Sequence, residues 1–458
     1  MTSDDTHTSA ESGRSLRESS RPIVGRRNFL QASGASLAGG SIALSGCVGG
    51  DDSVDQLTFA MEPVLDTEIV EDLIEQYEED TGVSVTIETF PYGGLQETTA
   101  TQLRASESDF DLMQIDTAWF GAYAGGDLLA PLDDRIDDTD LVDRDVYIDT
   151  IMNAVGELEG TTYTLPYYNY AFGQLYRGDL VEDPDLQAEY EDETGRELGF
   201  PEDIEEYVEL TKFMTRDTTG DGETDLYGRT MQGAAGIHIL DEWLPYHYGL
   251  GGEYTDGDEV VFGDHIDTAL EALEFYEDQI TNAAPEAALG WTFNESSEFM
   301  ADGNAFSLTT YNWLFQRIGD SPIADDLEIT NVPGGRSVVG AWGMGIPANL
   351  DDARADAAWD FLSWMESEDI RKERASLGAA PTTTDVLADD DLREQFSAHY
   401  PVLEEILENG VPLPNSPGAG EINNILGTAL NEIVATGADP RETLEAAAED
   451  MESVDTSY

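Results

Sequence analysis

From Val54 onward, short apolar runs alternate with longer segments whose apolar residues recur at three- and four-residue spacing. A short apolar run suits a buried strand, and the longer spacing suits one face of a helix. Leu57-Thr58-Phe59-Ala60-Met61 reads as a first strand. Ile69, Val70, Leu73, Ile74 and Tyr77 then predict a helix over residues 66–80, with Gly82 placed to end it. Val83-Ser84-Val85-Thr86-Ile87 alternates as a second strand. Asp111-Leu112-Met113-Gln114-Ile115 is a third and leads into a helix over residues 119–125. Amphipathic spacing predicts further helices over 202–214 and 353–366, and closing helices over 421–436 and 440–451. This alternation of strand and helix predicts α/β layers around a largely parallel sheet.

The N-terminal segment follows a different pattern. Arg26-Arg27-Asn28-Phe29-Leu30 precedes an uncharged stretch rich in Ala, Gly and Ser, which ends at Leu44-Ser45-Gly46-Cys47. Twin arginines before such a stretch predict a twin-arginine export signal. The stretch is shorter and more polar than the ~20 apolar residues of a membrane span. It fits the apolar region and small-residue cleavage box of a signal peptide. Cys47, the only cysteine, stands where a lipoprotein signal is cut and acylated. Residues 1–46 are therefore expected to leave as the signal, and 47–53 to form a lipidated polar tether. The expected location is the outer face of the cell membrane, with at least two acyl chains needed for stable anchoring.

Charge narrows the function. The chain carries 96 acidic and 21 basic residues, a formal net charge of -75, and its only lysines are Lys212 and Lys372. Nothing basic is available to neutralise phosphates, which excludes nucleic-acid binding. A hydrophobic content of 40% and an aromatic content of 9% support a folded core rather than disorder. Self-repulsion of this size opposes compaction in dilute buffer, whereas molar salt cuts the screening length to ~3 Å. The acid-rich, lysine-poor composition resembles proteins of salt-in halophilic archaea.

Specific blocks resemble the extracellular solute-binding proteins of family 1, the sugar-binding components of ABC importers. They are residues 73–85, residues 109–119 continuing to Gly126-Asp127-Leu128-Leu129-Ala130-Pro131-Leu132, Tyr163-Thr164-Leu165-Pro166-Tyr167-Tyr168-Asn169 with Leu175-Tyr176-Arg177, and Gly340-Ala341-Trp342-Gly343-Met344-Gly345-Ile346-Pro347. The resemblance implies a two-lobed α/β fold of the periplasmic-binding-protein type, with the ligand in a cleft between lobes joined by hinge strands. By analogy the first lobe holds 54–164 and the second 165–340. Residues 341–380 return to the first, and 381–458 return to the second with the closing helices.

A sugar offers apolar C–H faces and a rim of hydroxyls, so it is held by aromatic rings with carboxylate and amide partners. Residues at strand ends that supply these groups are Glu62, Asp116, Trp119, Tyr167, Tyr168, Asn169, Glu242, Trp243, Tyr311, Trp313 and Trp342. A loop offers Asp217, Thr219, Asp221, Glu223 and Asp225 as oxygen ligands around Gly222, half of an EF-hand pattern and a candidate structural calcium site. Gly228 stands where the bidentate Glu belongs.

Enzyme chemistry finds no support. The histidines beyond the signal have no zincin spacing, and no nucleophile elbow, P-loop or dinucleotide fingerprint occurs there. The expected function is capture of a sugar, oligosaccharide or polyol outside the cell and delivery to an ABC permease, without a catalytic cofactor. The alternatives are a surface receptor feeding a sensor or adhesin, and an extracellular glycosidase.

Overall fold

The computed structural model describes residues 54–456, apart from Asp258, residues 313–317 and Asp320. The expected export signal, Cys47 and Trp313 lie outside the described residues.

The expected strands and helices form within a residue or two of their predicted bounds. The first two strands are β1 (Gln56–Met61) and β2 (Ser84–Thr89), with the helix Leu65–Thr81 between them. This helix buries Ile69, Val70, Leu73, Ile74 and Tyr77 along one face, and ends where Gly82 turns left-handed at φ 79°. Tyr77 meets Phe361 of the helix Asp352–Met365 edge-on, at 5.0 Å between ring centroids. Fully burying each large apolar side chain of such a face stabilises the fold by about 1.5–3 kcal/mol.

The remaining strands of the main sheet are β3 (Leu112–Asp116), β4 (Thr164–Arg177), β5 (Ser307–Tyr311), β6 (Leu327–Thr330), β7 (Val338–Gly345) and β8 (Val411–Pro412). They make an 8-stranded sheet ordered β6-β4-β7-β3-β1-β2, with β5 joined to β4 and β8 to β7. Only β1/β2, β1/β3 and β7/β8 pair parallel, while β3/β7, β4/β7, β4/β5 and β4/β6 are antiparallel. The sheet is thus mixed, which corrects the largely parallel expectation. The reason is topological: β4 leaves the first lobe and β7 returns to it beside β4, so neighbouring strands run in opposite directions.

β4 is the frame of the two-lobed architecture. Its 14 residues are buried from Thr164 to Leu175. Residues 164–171 pair with β7, whereas Phe172 to Arg177 pair with β5 and β6 of the second lobe. The second lobe adds its own small apolar clusters, one around Leu175, Met300 and Leu308, another around Tyr190, Leu210 and Phe306. The helices Ile237–Gly249, Ile266–Asn282, Ala419–Thr436 and Pro440–Glu452 pack together on this lobe.

The ladder between β4 and β7 slips between Trp342 and Gly343, which oppose Tyr168 and Pro166 respectively. Proline brings no N–H to a ladder, so a bulge beside Pro166 is the low-cost place for the irregularity. Gly343 is required there, since a methyl group would run into the Thr164 side chain. Gly343→Ala is expected to lower stability by about 1–3 kcal/mol, as overpacking does. The check is urea denaturation in molar KCl, where the midpoint falls at unchanged slope.

Candidate functional site

A cavity of about 1480 Å³ opens between the lobes where β1, β3, β4 and β7 end or cross. Glu62 follows β1, Asp66 lies in the first turn of the next helix, and Tyr92 begins the helix Tyr92–Leu103. Asp116 ends β3 and caps the helix Thr117–Ala124, its carboxylate accepting from Ala118 N–H at 2.9 Å. Trp119 follows on that helix. Strict alternation along the strand places Tyr168 and Tyr170 together on the cavity wall. The second lobe contributes His238 and Asp241 from the helix Ile237–Gly249, together with Phe293, Tyr311 and Asn312.

The aromatic side chains form a continuous wall. Trp119 and Trp342 meet edge to face at 5.3 Å, and Tyr92 tilts against Trp119 at 5.0 Å. Tyr168 stacks on Trp342 at 6.3 Å between centroids. Tyr170 lies edge-on to Tyr311 at 5.3 Å, which carries the wall across to the second lobe. Rings held by one another in this way offer flat apolar faces with little freedom left to lose.

The carboxylates between these rings are held protonated more strongly than usual. Burial, with the nearby Asp116 charge adding to it, pushes Glu62 up to about 7. Burial raises Asp116 to about 6, although Ala118 N–H and the hydroxyls of Tyr170 and Tyr92 donate to it. Burial raises Asp66 to about 7, against a hydrogen bond from Ala380 N–H and the Arg374 charge. Asp241 is pushed up to about 8 by burial, despite the Tyr311 hydroxyl that donates to its Oδ2 at 2.6 Å. Its Oδ1 is buried without a hydrogen-bond partner among the described residues. Among the described residues, no lysine or arginine lines the cavity. Such a site accepts hydrogen bonds from hydroxyl or ammonium donors against apolar faces.

Of the residues singled out from sequence, Glu62, Asp116, Trp119, Tyr168, Tyr311 and Trp342 lie at the cavity. Others lie elsewhere for clear physical reasons. Tyr167 and Asn169 take the opposite phase of β4. Asn169 donates to Pro381 C=O at 2.6 Å and accepts from Asn312 at 2.8 Å, fastening the cavity's edge rather than lining it. Tyr167 packs in the core, its carbonyl accepting from Arg374 at 3.3 Å. Glu242 and Trp243 turn inward on their helix: Glu242 forms a fully buried ion pair with Arg229, and Trp243 is 0% exposed against His247. The neighbouring Asp241, not singled out, is the one at the cavity. Also missed were Tyr92, Asp66, Tyr170, His238 and Phe293. A helical-wheel reading of 237–249 offers the signal for Asp241, because it separates that residue from Glu242 by about 100°.

The loop of Asp217, Thr219, Asp221, Glu223 and Asp225 closes on its own hydrogen bonds. Asp217 accepts from Gly220 and Gly222 N–H, both at 2.6 Å, and Asp225 accepts from Thr218. These bonds pull both carboxylates below their ordinary range. Among the described residues, no group of His, Cys, Asp and Glu gathers as a metal site.

Each raised carboxyl binds a proton more tightly in the folded state than unfolded. Its stabilising effect is complete below the ordinary carboxylate range and is lost as pH rises through the folded value. The melting temperature of the ligand-free protein is therefore expected to fall between about pH 4 and pH 8. Asp241→Asn should flatten the upper part of that slope without loss of stability at pH 8. Glu242→Gln should instead cost about 3–5 kcal/mol at any neutral pH, because it strands a buried guanidinium. Thermal scans at constant molar KCl separate the two variants, and equal behaviour would contradict these assignments.

Comparison with known proteins agrees with this architecture. A family model described as bacterial extracellular solute-binding protein matches residues 72–398. A solute-binding protein of an ABC transporter from Agrobacterium radiobacter, solved with ribitol, is 26% identical, with a TM-score of 0.72 over 87% of this chain and 98% of its own. Maltose-bound MalE3 of T. maritima has the same fold at 20% identity and a TM-score of 0.72, covering 87% of this chain and 99% of its own. A probable amino-acid ABC transporter periplasmic-binding protein of Sinorhizobium fredii is 23% identical over 236 residues, 51% of this chain and 53% of that protein. The chain thus spans about half the length of that curated relative. These relatives are binding proteins rather than enzymes, and among the described residues no helix is long and apolar enough to cross a membrane. The chain belongs to the extracellular solute-binding protein family.

Proposed function

We propose that this protein is the substrate-binding component of an ABC importer, which captures a sugar, oligosaccharide or polyol outside the cell and hands it to a membrane permease. The observation that carries this reading is the cavity between the lobes, with an aromatic wall of Tyr92, Trp119, Tyr168 and Trp342 beside the buried carboxylates. The rings cover C–H faces, and Glu62, Asp116 and Asp241 accept from hydroxyls. β4 and β7 are the connections about which lobe closure turns. The ribitol-bound relative supports a polyol or sugar as the ligand. The cavity exceeds the ~300–1,000 Å³ typical of small-ligand sites, which favours a solute of more than one ring or a long chain of hydroxyls.

In this reading the twin arginines Arg26 and Arg27 direct export, and lipid on Cys47 holds the protein at the outer membrane face. The acidic surface, at net -75, suits a medium of molar salt. A structural calcium ion at the Asp217 loop is no part of the binding chemistry.

Ligand that binds only the folded state raises stability by about 2.7 kcal/mol at a hundred times its dissociation constant. A thermal-shift screen of sugars, polyols, amino acids and phosphate esters in molar KCl is expected to single out a sugar or polyol. A response to amino acids alone would overturn the carbohydrate reading. Tyr92, 45% exposed at the rim, is the ring removed with least damage to the fold. Tyr92→Ala should weaken binding by about 1 kcal/mol, roughly fivefold. An unchanged dissociation constant would remove that ring from the contact surface. For the anchor, Cys47→Ser should move the protein from the membrane fraction to the medium, as immunoblotting of fractionated cells would detect.

A further inference from the structure

We propose that the solute selected by this cavity carries a protonated amino group, as an amino sugar or amino-polyol does. This rests on the sugar- or polyol-binding reading above and narrows it by charge.

The argument starts from the balance of charge around the cavity. Glu62, Asp66, Asp116 and Asp241 line it from both lobes. Asp66 alone among them feels a cationic side chain of the described residues, Arg374. The lining histidines supply no positive charge at neutral pH: burial holds His238 below its ordinary range and His399 down at about 4. Among the described residues, Glu62, Asp116 and Asp241 therefore face the cavity with no countercharge.

A neutral polyol offers these groups hydrogen bonds only. An ammonium group offers several donors and favours the ionised form of these carboxyls, in a space where bulk salt screens poorly. Asp241 gives the most specific indication. It is 0% exposed, the Tyr311 hydroxyl occupies one of its oxygens, and the other has no hydrogen-bond partner among the described residues. Asp116 mirrors it from the first lobe, with the Tyr170 hydroxyl donating at 2.9 Å. The two tyrosine rings touch at 5.3 Å, so one short aromatic bridge links the two carboxylates across the cleft.

Calorimetric titration of the purified protein at pH 7 in one fixed KCl concentration tests this. The probes are matched sets: D-glucitol with 1-amino-1-deoxy-D-glucitol, and D-glucose and D-galactose with their 2-amino and 2-acetamido derivatives. In at least one set the amine should bind tenfold or more tighter than its neutral parent and its acetamide. Asp241→Asn should shrink that preference to threefold or less, and Glu62→Gln should reduce it as well if Asp241→Asn proves unstable. Neutral members that bind as well as the amine in every set would overturn the charge selectivity and leave sugar capture standing. A folded protein that binds no member of any set would overturn the amine proposal, while the thermal-shift screen decides sugar or polyol capture separately.

Discussion

The pairing of β4 with β7 is the constraint on which the molecule depends. These are the strands that run side by side between the lobes, and they are buried along nearly their whole paired length. A strand fixed in register presents alternate side chains to one face, and a slip of one residue would turn every cleft group away. The bulge beside Pro166 and the bare Cα of Gly343 hold that register where Tyr168 and Trp342 oppose each other. Trp342 also stands opposite Asp116 on β3, so one residue of β7 aligns the aromatic wall and the carboxylate together.

Around this ladder the polar groups divide into two kinds. Some are satisfied within the protein and fasten elements together. Glu366 binds Arg374 at 2.6 Å and accepts from the Tyr147 hydroxyl at 2.8 Å, while Arg374 and Asn169 tie residues 374–381 to β4. The Arg229–Glu242 pair does the same inside the second lobe. Others, at the cavity, keep part of their hydrogen-bonding capacity open. Burying a carboxylate without full compensation costs stability and raises its proton affinity. Glu62, Asp116 and Asp241 bear that cost at the cavity, and perturbed carboxyls of this kind gather at functional sites.

The local elements were legible in the sequence because period and caps are local properties. The helix Leu65–Thr81, the strand Gln56–Met61 and the closing helix Pro440–Glu452 follow from apolar spacing and from Gly82, and the structure adds Asp439, which caps the last helix by accepting from Glu442 N–H. The helix Ile237–Gly249 was harder to read, since it carries Pro245 and is buried on nearly every side. Parallel or antiparallel pairing was not legible, because it depends on which distant strands become neighbours.

By itself, then, the sequence determined the acid-rich composition, the α/β alternation and the aromatic supply near Asp116 and Trp342. These depend on residue type and short spacing alone. The tertiary structure decided which of two adjacent residues faces the cavity. Asp241 and Glu242 are equally acidic and next to each other in the chain. One reaches the cavity beside Tyr311, and the other is enclosed with Arg229. Tyr168 and Asn169 are separated in the same way by the pleat of a single strand. Such a choice depends on helix rotation and strand register, which contacts across the whole fold fix and no local pattern records.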